Sequence, residues 1–470
     1  MKFYYENSLM KMEGIEGAHT ISDIDVYIGS GILDNASSYI IKRNLGNSCL
    51  IIADKNTYTA AGKRLFDNLQ DNGFNVQTCM LDCGDVRIEA DEMSVGNVLM
   101  AYDPEPDFLI ACGSGVINDV TRFVAKTTDK AFVSVGTAAS MDGYISVITP
   151  MIYHEKKVHK HGSAPKVLIL DTQILKNAPY EMIVSGFGDV FGKYIAKADW
   201  LLSETINGEK VDIDAINLIT QALDNMVANI DEVINLSDKG LTSIIEGLIL
   251  AGITIFTTGQ TRAVASIEHN QGHVWETRMI EAGKPYALHG LSVGCSTGYY
   301  LRMYDYFKGL DLNTLDKDKA RDGILDYAAI RASALKCFGE DFLTTVEAQN
   351  PVFRISEKEF NRQYNAIIDN WDNILKVLDF LPDWDKYRSI YKKLGYTIFA
   401  EEIGIPTNLL KHTLRYSSYY RDRYSIVDAM NIMGITKRIS EQTLADYENA
   451  KIQEGLVQGN IAGNNTNPSF

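Results

Sequence analysis

Phe108-Leu-Ile-Ala-Cys-Gly-Ser-Gly-Val-Ile-Asn-Asp119 is a short apolar run closed by Gly-Ser-Gly and followed by a segment of helical period. Apolar residues without polar alternation predict a strand covered on both faces, as in a parallel sheet. Gly113 and Gly115 suit a tight strand-to-helix turn. They also let a phosphate approach the backbone, where the amides of Ser114, Val116, Ile117 and Asn118 open the next helix. Both readings stand for the turn alone. It lacks the third glycine of the usual dinucleotide fingerprint, and it follows a late strand instead of the first.

Outward from this stretch, the first ~170 residues repeat the same alternation. Cys49–Ala53, Val76–Leu81, Ala131–Val135 and Val167–Leu170 are further apolar runs, and Thr59–Asn72, Ala90–Tyr102 and Val116–Thr127 are helical between them. Ligands of such sheets sit at the carboxyl ends of strands, which directs attention to Asp54, Gly113–Asp119 and Gly136–Asp142. After about Thr172 the strand pattern stops, and Leu241–Thr258, Lys319–Cys337 and Glu357–Leu381 read as long helices. The expected division is an α/β domain over 1–175, an all-helical domain over 176–458 and a polar tail over 459–470. A cleft should lie between the two domains.

Composition narrows the function classes. The chain has 470 residues, 46% hydrophobic and 23% charged, which excludes disorder as its main state. Lys+Arg 45 against Asp+Glu 61 gives a net charge of −16, unsuited to generic binding of nucleic acid or anionic membrane. Six scattered cysteines, Cys79 and Cys83 the nearest pair, read as reduced thiols. The start, Met-Lys-Phe-Tyr-Tyr-Glu, carries no apolar signal core, and Ile244–Phe256 is too short to span a bilayer. A cytoplasmic protein without membrane insertion is expected.

Several residues could carry chemistry. Asp54 closes the first long strand and could accept bonds from a ribose diol or cap a helix. Val135-Gly-Thr-Ala-Ala-Ser-Met-Asp-Gly-Tyr-Ile-Ser146 is a loop of small residues. Ala138 and Ala139 leave room for a ring, Thr137, Ser140 and Ser146 offer hydroxyls, and Asp142 is its one charge or an Asp-Gly turn. His269 and His273 stand at i and i+4 in Ser266-Ile-Glu-His-Asn-Gln-Gly-His273, with His289 in Leu288-His289-Gly290. Imidazoles facing one cleft suit zinc, iron or nickel. Asp189, between glycines in Gly186-Phe-Gly-Asp-Val-Phe-Gly192, supplies a carboxylate that a metal would satisfy, or a helix cap. Tyr153–Lys166 holds four lysines and three histidines, a solvated hairpin or an electropositive flap for a phosphorylated substrate. Arg262 is a second candidate phosphate ligand.

Four motifs together, GSGVINDVTRFVAK (113–126), VGTAASMDGYIS (135–146), GFGDVFGKYIAKADW (186–200) and SIEHNQGHVWE (266–276) with LHG (288–290), resemble the sn-glycerol-1-phosphate dehydrogenases, in particular their bacterial AraM-like branch. That group belongs with the iron-type alcohol dehydrogenases and dehydroquinate synthases. The resemblance implies a Rossmann-like α/β amino-terminal domain and an all-α carboxyl-terminal domain. It implies one divalent metal (Zn, Ni or Fe) held by Asp189, His269 and His289. NAD(H) or NADP(H) would lie against Gly113–Asn118, Thr137–Ser140 and Ser146, with Asp54 as the ribose acid. Asp142, His273 and Asp189 would meet the substrate, Asp142 and His273 taking catalytic roles.

The implied reaction is reversible reduction of dihydroxyacetone phosphate to sn-glycerol 1-phosphate. A lyase of the dehydroquinate synthase type, or a dehydrogenase of another polyol or polyol phosphate, is the alternative. A homo-oligomer, in the first instance a dimer, is also implied. Two departures stand out. Members often read Arg-Pro-Ala-Ser-Gly-Ser-Glu-His where this chain has Arg262-Ala-Val-Ala-Ser-Ile-Glu-His269, and helical sequence over about 310–455 exceeds the typical length. That extension is expected to serve oligomerisation or to reshape the cleft.

Overall fold

Seven strands form a single all-parallel sheet in the order β1-β2-β9-β6-β5-β3-β4. They are β1 (Lys2–Tyr4), β2 (Asp25–Gly29), β3 (Ser48–Asp54), β4 (Asn75–Leu81), β5 (Phe108–Gly113), β6 (Ala131–Gly136) and β9 (Val167–Asp171). The remaining two, β7 (Ile148–Tyr153) and β8 (Lys156–His161), make an antiparallel hairpin. The computed structural model describes residues 2–4, 23–82, 84, 87–154, 156–350 and 354–455. Cys83 and the tail over 459–470 lie outside them; the other five cysteines are free and buried.

The side-chain alternation of β3 shows why this sheet is covered twice. Cys49, Ile51 and Ala53 enter one apolar cluster with Phe108, Ile110 and Leu65, while Leu50 and Ile52 enter another with Leu109, Phe132 and Val120. All are fully buried, so the runs read as continuously apolar. Successive strands leave β3 in opposite directions, to β4 at the edge and to β5 inward. The strand order therefore reverses between β3 and β5, and a crevice opens outside Asp54 and Gly113.

β2 was not legible as a strand. Asp25-Val-Tyr-Ile-Gly29 is short, and its place depends on pairing with β9, some 140 positions away in sequence.

No strand follows Asp171 among the described residues, and helices take over from Thr172. The helix Asp238–Thr258 is long and apolar enough to cross a membrane, but 89% of its apolar window is buried inside the protein. It is a core helix, packed with Tyr180–Asn207 and Ile213–Ala228. The carboxyl-terminal helices join the same core: Trp384, Tyr387, Tyr391 and Tyr447 cluster with Phe187, Phe191 and Tyr299. A Cβ at Gly294 would fall 2.1 Å from the Tyr391 hydroxyl, so glycine is what allows that approach. The sequence over 310–455 thus buttresses the helices that carry Asp189 and His289.

Candidate functional site

A cleft of about 1350 Å³ opens at the carboxyl ends of the strands, between the sheet and the helices. One wall carries Asp54, Ser114–Ile117, Thr137, Ala138, Ser140, Asp142 and Ser146; Glu276, Leu288 and His289 stand on the helical side. Gly113, Asn118 and Ala139 lie behind the wall as support. Asn118 donates to the carbonyls of Gly113 (3.2 Å) and Ser114 (3.0 Å) and accepts from Ser134 (2.6 Å), which fixes the glycine turn. The Ser114 and Ser140 hydroxyls meet at 2.5 Å and join the two loops.

Asp54 caps a helical turn with one of its two carboxylate oxygens. Its Oδ1 accepts from the amides of Asn56 (2.7 Å) and Thr57 (2.9 Å), capping the helical turn after β3. Arg64 and Lys55 also line this end of the cleft.

Asp189, on the buried face of helix Tyr180–Asn207, meets two imidazoles from elsewhere. The Asp189 Oδ1 lies 3.4 Å from His269 Nε2, and ligand atoms of Asp189, His269 and His289 all fall within 4.8 Å of one another. His269 lies on helix Ile267–Glu281, and His289 is the first residue of helix His289–Lys308. Close helix contact makes this possible. A Cβ on Gly290 would sit 1.8 Å from the Ser185 carbonyl oxygen, so only glycine lets the His289 helix approach Asp189's helix there.

Each imidazole has a carboxylate behind it. His269 Nδ1 is 2.6 Å from Glu268 Oε1, and His289 Nδ1 is 2.9 Å from Glu276 Oε1. With Nδ1–H donating to those acids, each ring in its neutral form presents Nε2 as a lone-pair donor. Two imidazole nitrogens and one carboxylate oxygen, with room in the cleft beside them, fit an open divalent-metal site. A second cluster, His273, Glu276 and His289, is equally close. There, however, Glu276 faces the Nδ1 atoms of His289 and His273 and contacts Lys157 on the hairpin, so it serves to orient the imidazoles.

Charges in the site follow from their neighbours. Burial alone would raise the Asp189 carboxyl, but Lys193 and the two imidazoles outweigh it and hold it well below the usual carboxylate range. Burial opposes protonation of His269, yet bonds to Asp189 and Glu268 win and push it up to about 9. His273 goes the other way: burial, reinforced by Lys157, keeps its imidazole well below the ordinary value. It is therefore neutral, 7% exposed, with its ring 5.0 Å from that of His289.

Not every candidate reaches the cleft. Arg262 is 3% exposed and fully engaged, by Glu209 at 3.0 Å, Ser266 at 3.1 Å, and the carbonyls of Asp199 (3.1 Å) and Tyr424 (2.7 Å). A guanidinium spent this way among helices away from the cleft does not serve as a phosphate ligand. The basic stretch does form a hairpin, and Lys157 lines the cleft. Lys193, Glu268 and Glu276 went unremarked in the sequence, although all three fall inside motifs already singled out. The available signal was spacing: Ser185, Asp189 and Lys193 recur every four residues and share one helical face.

Residues 27–179 match the family model described as iron-containing alcohol dehydrogenase. Solved structures of similar fold include a glycerol dehydrogenase from Schizosaccharomyces pombe (TM-score 0.57, 14% identity, 92% of each chain covered). A maleylacetate reductase from Agrobacterium tumefaciens is comparable (TM-score 0.56, 14% identity, 89% of this chain and 96% of that one). The fold is that of the iron-containing alcohol dehydrogenases and dehydroquinate synthases.

Within that class, a glycerol-1-phosphate dehydrogenase (NAD(P)+) from Bacillus subtilis (strain 168) is 31% identical over 58% of this chain and 69% of its own. One from Geobacillus stearothermophilus is 29% identical over 81% of this chain and 86% of its own. The chain belongs to the glycerol-1-phosphate dehydrogenase family. A further relative of that name, from Halalkalibacterium halodurans, matches over 87% of the chain, which cannot be confined to the first 300 residues. Much of the helical sequence over 310–455 is therefore shared with relatives, and is not an addition to this chain.

Proposed function

We propose that the protein catalyses the reversible NAD(P)H-linked reduction of dihydroxyacetone phosphate to sn-glycerol 1-phosphate. The observation that carries this reading is the convergence of Asp189, His269 and His289 within 4.8 Å of one another, with His289 lining a cleft whose other wall is a glycine turn at a strand end. Asp189, His269 and His289 would hold a divalent cation. Such an ion, when bound, polarises a ketone and stabilises developing alkoxide charge.

The chain's own residues supply the rest. Ser114–Ile117, at the start of a 13-residue helix, line the cleft, and amides at such a helix start suit a pyrophosphate. Asp54, through its unused oxygen, suits a ribose diol. The small residues Thr137–Ser140 leave space for the nicotinamide beside Asp142. His273, neutral and close to His289, can donate or accept one hydrogen bond to a substrate hydroxyl and pass its proton on. Lys157, on the hairpin at the cleft edge, neutralises substrate phosphate.

A cytoplasmic location is supported by the buried, unpaired thiols. A homo-oligomer is supported by exposed Met80 on the edge strand β4, with Met93 and Met100 on the helix packed against it.

The test is direct. Purified protein is analysed for bound metal, then given dihydroxyacetone phosphate with NADH or NADPH, and the product's configuration is assigned. Cofactor oxidation yielding the sn-1 isomer is expected. No net oxidation, with cofactor returned unchanged, would favour a lyase instead.

A further inference from the structure

Lys193 is a fully buried lysine that the reaction as described does not use. Its ammonium donates three bonds: to Asp189 Oδ1 at 3.0 Å, to the Asp189 carbonyl at 2.9 Å and to Asp142 Oδ2 at 3.2 Å. An ammonium has three protons, so all are spent. The first acceptor belongs to the metal-binding carboxylate and the last to the cofactor loop. Asp189 Oδ2 in turn accepts from the Asp142 amide at 3.1 Å. One turn earlier, the Ser185 hydroxyl donates to the Ser140 carbonyl at 3.0 Å. A Cβ on Gly186 would lie 1.9 Å from the Ala139 carbonyl oxygen, so the loop rests directly on this helix.

The geometry points to Lys193 as a positioning residue that couples occupancy of the metal site to seating of the cofactor loop. The inference rests on the reading of Asp189 as a metal ligand and of residues 137–146 as a cofactor loop. Without a cation, the ammonium is shared between Asp189 and Asp142. A divalent cation at Asp189 repels the ammonium and shifts its bonding toward Asp142, which pins the loop in the position that a nicotinamide needs. By linkage, a dinucleotide that holds the loop in place raises affinity for the cation by the same factor. A neutral side chain at 193 would leave two neighbouring carboxylates facing each other. The loop would then be pushed off the helix, while a cation would be held at least as tightly as before.

The experiment compares the unmodified protein with Lys193→Met. NADH affinity is measured by fluorescence with and without Zn²⁺, and Zn²⁺ affinity by calorimetry with and without NADH. In the unmodified protein each ligand should tighten the other by about fivefold or more. In Lys193→Met, NADH affinity should fall about tenfold, Zn²⁺ affinity should not fall, and the mutual effect should vanish. Lys193→Gln carries the same measurements if the Met variant does not fold, with thermal melting recorded for each. Retained coupling in the variant overturns the assignment. So does a parallel loss of both affinities with a lowered melting temperature, which would mark a purely structural lysine. Absence of coupling in the unmodified protein also overturns it. Failure of the underlying reading looks different, since the unmodified protein would then bind neither Zn²⁺ nor NADH.

Discussion

The two walls of the cleft are built on different principles. On the sheet side, the candidate ligand groups are backbone amides and small hydroxyls at strand ends, and Asp54 is partly in solvent. On the helical side they are ionisable side chains, Asp189 and His269 buried behind the cleft at 0% and 4% exposure and His289 partly exposed at its edge. A backbone site tolerates change in any one side chain. A site of buried charges does not, because each removed partner leaves another unpaired. Mutational sensitivity should therefore be lopsided across the cleft.

The sharpest way to break that contrast is His269→Ala. It should abolish bound metal and cut turnover by about a thousandfold or more, with the fold intact by circular dichroism; full metal occupancy would contradict the ligand assignment. The same histidine predicts a pH effect. Held near 9 by Asp189 and Glu268, it is protonated in the metal-free chain at neutral pH, and a cation must displace that proton. Metal affinity should thus rise with pH, by up to about tenfold per unit between pH 7 and 9, then level off. Calorimetry in buffers of different ionisation enthalpy would read the released proton; no release at pH 7 would count against it.

Next in size is Glu276→Ala, which frees the Nδ1 of His289 and strands Lys157. Metal affinity should drop about 10- to 100-fold by competition with a chelator, while NADH affinity moves little. On the sheet side, Asp54→Ala should raise KM for NADH by about tenfold, worth roughly one good hydrogen bond to a charged group, with kcat unchanged. A collapse of kcat there would erase the contrast. Smallest in kinetics is Arg262→Ala. It should leave KM for the phosphorylated substrate as it was and cost about 3 kcal/mol of stability, read by denaturant unfolding; a raised KM with no loss of stability would restore it as a substrate ligand.

The same asymmetry governs what could be read from sequence. Strands β3, β5, β6 and β9 announced themselves because both faces are buried, and local composition records that. The glycine turn after β5 is likewise a local signal. β2 was missed because five residues ending in glycine look like coil until β9 is beside them. On the helical side, Asp189, His269 and His289 were noticed because such residues are scarce among apolar neighbours. Lys193 lies in the same motif without a signal of its own, since lysines almost always reach water. Arg262 misled in the opposite sense, its sequence nearness to His269 suggesting a shared cavity that the helix packing does not create. Asp54 forms the cap with one oxygen, and the proposed ribose contact would use the other.

One helix, Ile267–Glu281, carries His269, His273 and the two acids, Glu268 and Glu276, that orient the donor nitrogens. These groups share a single screw axis on which every residue advances about 100°. Inserting or deleting one position between 269 and 276 would swing Glu276 a quarter-turn or more away from His289 while leaving His269 in place. A substitution here removes one group at a time, whereas a length change displaces several together, so the segment should be fixed in residue count.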